Sequence, residues 1–113
     1  MAAHRRLSLL ALAYCIGSTQ AFAAPTYLTC TIEGNEVKVT SDEQNAAVTI
    51  MVAGTPAPQR FNASFSANEV VFADHGIRYT LSRTNLTIVR EVARYGWVDR
   101  GTCTIDQAPK RAF

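Results

Sequence analysis

The sequence has little of what most catalytic or ion-binding sites need. Only two histidines and three cysteines occur among its 113 residues. It contains no Gly-rich phosphate loop, no serine elbow and no run of spaced oxygen ligands for calcium. No apolar stretch approaches the roughly 18 residues that a membrane-spanning helix needs. We therefore expect no cofactor, no metal ion and no transmembrane segment.

The first residues have the order of features that is typical of a secretory signal peptide. A basic head at residues 4–6 precedes an apolar run at residues 7–16. Ala21 and Ala23 supply the small side chains that signal peptidase takes three residues and one residue before the cut. The pattern predicts a signal peptide over residues 1–23, cleavage before Ala24, and export to a bacterial periplasm or medium.

Cys15 has one alternative fate, because residues 12–15 distantly resemble the lipobox that precedes a lipidated cysteine. That pattern has Gly, Ala or Ser immediately before the cysteine, whereas this chain has Tyr14. We expect Cys15 to be removed with the signal peptide rather than to carry lipid.

Charge of one sign is also lacking in the predicted mature chain. The sequence has eleven basic and nine acidic residues. Removal of Arg5 and Arg6 with the signal leaves nine of each. Without a basic excess the chain lacks the counterion-release term that drives nucleic-acid binding, so we expect no nucleic-acid partner.

Two cysteines remain after that cleavage, Cys30 near the mature start and Cys103 near the end. An even count in an exported chain predicts one disulfide. It would close a loop of about 74 residues and stabilise the fold by roughly 4 kcal/mol in the chain-entropy model. The alternative is a metal-binding pair, but two cysteines without a nearby histidine make a poor zinc site.

Alternation of apolar and polar residues indicates strands along the whole mature chain. Between Val52 and Arg60, Gly54, Pro56 and Pro58 predict an exposed loop. We expect an all-β fold over residues 24–105, as a small antiparallel meander closed or nearly closed into a barrel, with a two-sheet sandwich as the alternative. Residues 106–113 are expected to be a flexible tail, and the molecule a monomer. The predicted strands are Tyr27–Ile32, Glu36–Thr40, Ala46–Val52, Arg60–Phe65, Glu69–Ala73, Ile77–Ser82, Leu86–Val92 and Gly101–Ile105.

The sixth and seventh of these segments predict a hairpin with a definite register. An even-numbered loop centred on Thr84 and Asn85 brings two apolar pairs and one pair of opposite charges into line at once. The predicted cross-strand pairs are Leu81 with Ile88, Ile77 with Val92, and Arg78 with Glu91.

Few residues suggest catalysis. His75 follows Asp74, but both stand in a predicted turn, which favours a solvated histidine over a general base. Asp42 and Glu43 are likewise expected to be turn residues in contact with solvent. We expect a protein that is not an enzyme.

The segment from Arg78 to Arg100, which contains five arginines, is rich in the residue types that dominate binding hot spots. Its tyrosines, tryptophan and arginines are interpreted in two ways. In the first interpretation, Trp97 caps the barrel end as part of the core, and the arginines form a solvated face with Glu91 and Asp99 as partners. Alternatively, the segment docks an acidic or glycan-bearing envelope partner. The candidate binding surface comprises Arg78, Tyr79, Arg90, Arg94, Tyr95, Trp97 and Arg100.

The early cysteine, the hairpin from Tyr79 to Arg90 and the closing residues 101–103 resemble small uncharacterised bacterial secreted and periplasmic β proteins with one disulfide. Residues 76–79 (Gly-Ile-Arg-Tyr) are also similar to a stretch of the periplasmic inhibitors of C-type lysozyme, which implies a small antiparallel barrel that inserts a loop into the enzyme cleft. Those inhibitors carry a Ser-Gly motif before that tyrosine and a lysine-bearing motif after a tryptophan. Here Asp74 and His75 precede Gly76, and residues 98–100 follow Trp97, so no inhibitory residue is carried over.

Together these observations predict a non-catalytic binding or interaction module of the cell envelope. A lysozyme-inhibitor-like protein and a purely structural envelope component are the alternatives.

The intact mass of the exported protein tests the processing predictions. We expect a chain that starts at Ala24 and is two hydrogens lighter than the fully reduced form. A diacylglyceryl mass on Cys15 would contradict the predicted cleavage.

Overall fold

The chain forms eight antiparallel strands and no helix among its described residues. The structure is a computed structural model and describes residues 24–55 and 57–107. The predicted signal peptide with its cleavage site and Cys15, and all of the predicted tail beyond Gln107, lie outside the described residues. The strands are β1 (Thr26–Ile32), β2 (Asn35–Asp42), β3 (Ala47–Val52), β4 (Gln59–Phe65), β5 (Glu69–Asp74), β6 (Ile77–Ser82), β7 (Thr87–Val92) and β8 (Trp97–Asp106).

The eight strands close into one barrel. Each strand pairs with the next along the chain, and β8 pairs with β1, from Tyr27 opposite Asp106 to Ile32 opposite Gly101. The sheet therefore has no first or last strand. This confirms the all-β class and the barrel, and the sandwich alternative is wrong.

Alternate side chains of every strand point into the barrel, as the period of two predicts. Phe61, Phe72 and Tyr79 form an aromatic cluster inside it, with the Phe72 and Tyr79 rings stacked at 4.9 Å between centroids. The remaining buried core residues are Leu28, Cys30, Ile32, Val37, Val39, Val48, Ile50, Val70, Leu81, Ile88 and Cys103.

The predicted hairpin register is confirmed: Leu81 faces Ile88, Ile77 faces Val92, and Arg78 faces Glu91. Two other hairpins turn on two residues with positive φ, as in type I′ turns, whose twist matches that of the strands. These are Glu33–Gly34 (φ 49° and 79°) and His75–Gly76 (φ 50° and 78°).

Nine strand boundaries differ from prediction, and three of these differences affect the sheet next to the hairpin described below. β7 begins at Thr87 because Leu86 has a φ of 59°, a left-handed conformation that does not continue a strand. β8 begins at Trp97 rather than Gly101, because its first residues pair with β7. It also continues through Asp106, which was expected to start the tail, and the Asp106 carboxylate accepts a 2.6 Å hydrogen bond from the Thr29 hydroxyl.

The predicted disulfide is confirmed and lies where the barrel closes. Cys30 on β1 and Cys103 on β8 are directly opposite residues with Cα atoms 4.0 Å apart. The backbone N–H of Cys103 donates across to the other neighbour, to the Leu86 carbonyl, at 2.7 Å. The cysteines are thus a non-hydrogen-bonded pair, the type in which side chains of antiparallel strands come closest.

The barrel has two distinct ends. The connections β1–β2, β3–β4, β5–β6 and β7–β8 lie at one end, which we call the hairpin end. The connections β2–β3, β4–β5 and β6–β7 lie at the opposite end, together with the start of β1 and the finish of β8; we call this the terminal end.

Gly101 allows the close approach of β8 to β1. A Cβ atom at this position would collide with the carbonyl oxygen of Thr31 and lie 3.0 Å from the Cα atom of Ile32. We expect Gly101→Ala to lower the free energy of unfolding by about 1–3 kcal/mol, because backbone atoms must move to admit the methyl group. Urea unfolding measures this change in free energy, and Thr102→Ala, at the neighbouring exposed residue, is the control. Equal stability of the two variants would contradict the close approach.

Candidate binding surface on the β7–β8 hairpin

The β7–β8 hairpin extends past the neighbouring strand at the hairpin end. β8 pairs with β7 as far as Trp97 opposite Val92. On its other side, the last pair of β8 with β1 is Gly101 with Ile32. Residues 97–100 therefore have a paired strand on one side only.

Two aromatic side chains lie exposed on this hairpin and stack on each other. Tyr95 is 57% exposed and Trp97 is 59% exposed. Their ring centroids are 4.6 Å apart, with 26° between the ring planes. Val98 beside them is 53% exposed. The expectation that Trp97 belongs to the core is therefore wrong, because β8 carries this residue beyond the part of the barrel that β1 covers.

Arg94 and Arg100 flank this aromatic pair in the sequence, and Arg78 lines the same surface recess as Trp97. The guanidinium of Arg94 lies 5.7 Å from the centroid of the Tyr95 ring, within range of a cation–π interaction. Arg78 and Arg100 are also exposed. None of the three takes part in a salt bridge among the described residues. The surface therefore combines apolar area with positive charge that has no internal partner.

Tyr79 and Arg90, the other two residues of the predicted surface, lie inside the barrel. Tyr79 is 8% exposed and belongs to the aromatic cluster. Arg90 faces Tyr79 on one side and Asp99 on the other. Both are interior positions because they share the inward face with Leu81 and Ile88.

Arg90 forms an ion pair with Asp99, which lies two residues after Trp97 on β8. Its Nε and Nη2 atoms donate to one Asp99 carboxylate oxygen at 2.9 and 2.5 Å, and the two side chains are 31% and 20% exposed. The hydrogen bond to Asp99 raises the pKa of Arg90 further than partial burial lowers it, so the guanidinium stays charged. The sequence interpretation named Asp99 as a partner of the arginines but did not assign it to Arg90; the β7–β8 register places the two opposite each other.

Arg83, the fifth arginine of the segment, lies at the terminal end. It donates to the Glu43 carboxylate at 2.9 Å and to the Ser66 carbonyl at 2.7 Å, and it lies 5.9 Å from the Phe65 ring centroid. It therefore links three turns beside a recess of about 260 Å³. Because its charge is already paired, Arg83 does not extend the candidate surface.

The residues considered for catalysis lie at or beside turns: Asp42 and Asp74 are the last residues of β2 and β5, where turns were predicted, and Glu43 and His75 follow them in exposed turns. The Nδ1 atom of His75 is 3.2 Å from an Asp74 carboxylate oxygen, with side-chain exposures of 86% and 55%. Asp42 accepts hydrogen bonds from Asn45 in the β2–β3 turn. Among residues 24–55 and 57–107, no group of three or more His, Cys, Asp or Glu side chains could hold a metal ion.

No protein-family model, curated protein sequence or solved structure matches the chain. Within the described part of the chain, no helix has the length and hydropathy needed to cross a bilayer. The functional interpretation therefore depends on the geometry of the hairpin itself.

Removal of Asp99 tests whether the ion pair anchors β8 to β7. Asp99→Ala leaves a partly buried guanidinium without its partner, and we expect a loss of about 2 kcal/mol in unfolding free energy, below the 3–5 kcal/mol of fully buried pairs. Replacing both residues, as Arg90→Leu with Asp99→Ala, should cost less than Asp99→Ala alone. Urea unfolding of the single and double variants measures this, and additive losses would contradict the coupling.

Proposed function

We propose that the protein is an exported, non-catalytic binding module of the cell envelope, and that its partner docks on the β7–β8 hairpin. The observation that carries this proposal is the stacked, exposed pair of Tyr95 and Trp97 with Arg94 over the tyrosine ring. Tryptophan, tyrosine and arginine are the residues enriched in binding hot spots. An exposed apolar patch of this composition on a small barrel is typical of an interaction site.

The strand pairing next to the aromatic pair favours binding without large rearrangement. Trp97 is the first residue of β8 and pairs with Val92, and the ion pair of Arg90 with Asp99 lies two residues further along β8. A surface held on paired strands loses little conformational entropy when a partner binds. The side chains of Tyr95 and Trp97 also restrict each other by stacking.

Export is supported by the redox chemistry of the chain. The Cys30–Cys103 disulfide joins the first and last strands. Disulfides of this kind persist in oxidising compartments such as the periplasm and are rare in the cytosol of mesophiles. Together with the signal-like sequence at residues 1–23, the disulfide favours an envelope or secreted location.

A lysozyme-inhibitor-like activity is the second candidate. The small antiparallel barrel with one disulfide agrees with what that resemblance implies. The residues that carry the resemblance are less favourable, because Tyr79 is buried and Ile77 is half-buried, which leaves Gly76 and Arg78 as the exposed residues of that stretch. We therefore place the binding site on the β7–β8 hairpin rather than on this turn.

Capture of envelope proteins and peptidoglycan fragments by the oxidised domain tests the proposal. We expect Trp97→Ala to weaken retention of a specific partner at least about tenfold, because a hot-spot aromatic contributes more than 1.4 kcal/mol. Ile105→Ala is the matched control, since Ile105 is 62% exposed and lies near the opposite end. Mass spectrometry identifies the retained molecules, and thermal unfolding confirms that both variants are folded.

Equal retention by the parent and both variants would contradict docking on the hairpin. A C-type lysozyme activity assay on bacterial cell walls, run with the same proteins, separates the two candidates. Inhibition that survives Trp97→Ala but is lost in a variant of the β5–β6 turn would favour the inhibitor alternative.

A further inference from the structure

The start of β8 has a free backbone edge. β1 ends opposite Gly101, and the chain then turns at Glu33 and Gly34 into β2. The side of residues 97–100 that faces away from β7 therefore has no strand beside it among the described residues. A methyl group placed on Gly34 would meet no heavy atom within 4 Å, so space is open at this turn.

The backbone groups on this free side can be assigned from the register. The N–H of Cys103 donates toward β7, to the carbonyl of Leu86. Because backbone groups alternate along an antiparallel strand, those of Trp97 and Asp99 also face β7. The backbone groups of Val98 and Arg100 consequently face the opposite side of β8, where β1 no longer runs alongside.

A carboxylate already occupies part of this edge. The N–H of Arg100 points to the side chain of Glu33, with 3.4 Å between the nitrogen and the Oε1 atom. The Glu33 oxygen lies where the carbonyl of an added strand would accept that hydrogen bond. For the N–H of Val98, the described residues supply no hydrogen-bond acceptor on the free side. The edge is therefore equipped to pair with an incoming strand that replaces Glu33 at Arg100 and supplies a first acceptor to Val98.

We propose that residues 98–100 of β8 bind an extended acidic peptide segment of a partner protein as an added β-strand. This inference rests on the proposed function and specifies its partner. Addition of a strand to a sheet edge gains affinity from main-chain hydrogen bonds, and the neighbouring side chains set specificity. Arg94 and Arg100 are exposed and form no salt bridge among the described residues, so they favour carboxylates on the added strand.

Charge argues against a second copy of this chain as the occupant. A symmetric pairing of two β8 edges would bring the Arg100 side chains of both copies close together, because the pairing centre lies within residues 98–100. Like charges on adjacent strands are destabilising. An acidic strand meets the same arginines with attraction instead.

Binding of a defined peptide tests the inference. The probe is a capped hexapeptide of alternating glutamate and valine. Trp97 is the only tryptophan of the chain, so its fluorescence reports on this edge directly. We expect saturable binding together with amide chemical-shift changes at Val98 and Arg100. Two further peptides are N-methylated at alternate amides, one at the odd-numbered and one at the even-numbered residues. One of them should bind at least about tenfold more weakly than the unmodified peptide and the other much less so, because only one edge of the added strand faces β8.

Val98→Pro removes the free-edge N–H without touching the ladder to β7. Proline is tolerated in a strand where its nitrogen faces away from a partner strand, so we expect a folded variant that binds the peptide at least about tenfold more weakly. Val98→Thr changes the same side chain but keeps the N–H, so it is the matched control, and we expect it to bind the peptide at least about tenfold more tightly than Val98→Pro. Thermal unfolding checks that both variants are folded.

Four results of the peptide-binding experiments would overturn the inference. They are equal binding by Val98→Pro and the parent, equal binding of both N-methylated peptides, equal binding of a lysine-for-glutamate peptide, and no saturable binding at all. A parent dimer that Val98→Pro dissociates would identify a second copy as the occupant and also overturn it. Each of these results leaves the proposed function intact if Trp97→Ala still weakens partner capture, so the two failures are distinguishable.

Discussion

The pairing of β1 with β8 is the constraint on which the rest of the molecule depends. It joins residues 73 positions apart in the chain, at Cys30 and Cys103, and it converts a linear meander into a closed sheet. Such a distant pairing costs loop-closure entropy, which the covalent link removes from the unfolded state. Gly101 contributes from the same strand, because its missing side chain lets β8 lie against Thr31 and Ile32.

The same pairing also determines where the sheet remains open. β1 ends at Ile32, whereas β8 begins at Trp97, so the two strands match over only part of the length of β8. The unmatched residues carry the exposed tryptophan and valine. The Arg90–Asp99 ion pair lies at this transition, partly inside the barrel and partly accessible to water. Closure of the barrel and presentation of the candidate surface are thus two consequences of one strand stagger.

Much of the fold could be predicted from local pattern. Alternation in β6 and β7 was sufficient to predict their register, because only one register aligned both apolar pairs with Arg78 and Glu91. The cysteine count was sufficient to predict the disulfide. The start of β8 was not predicted, because its inward positions after Trp97 include a charged residue, Asp99, whose partner is visible only when the two strands are aligned.

The candidate surface was only partly predictable for a related reason. The candidate surface was chosen from arginines and aromatics that lie close together in the chain, without removing those that alternation assigns to the inward face of a strand. Tyr79 and Arg90 are inward because they share the parity of Leu81 and Ile88, whereas Arg78 is outward. Tyr95 follows β7 in the turn, where alternation gives no prediction of exposure.

The positions of the two strand ends have a practical consequence for handling the protein. Because β1 starts and β8 finishes at the terminal end, a short linker could join them and a new opening could be made in another turn at the same end, such as the β4–β5 connection. Because the sheet is closed, the two chain ends could lie at any of the turns of the terminal end without a change in which strands are neighbours. A circular permutant would keep every strand neighbour while moving both ends, and it would still present the β7–β8 hairpin away from any surface to which its ends were attached.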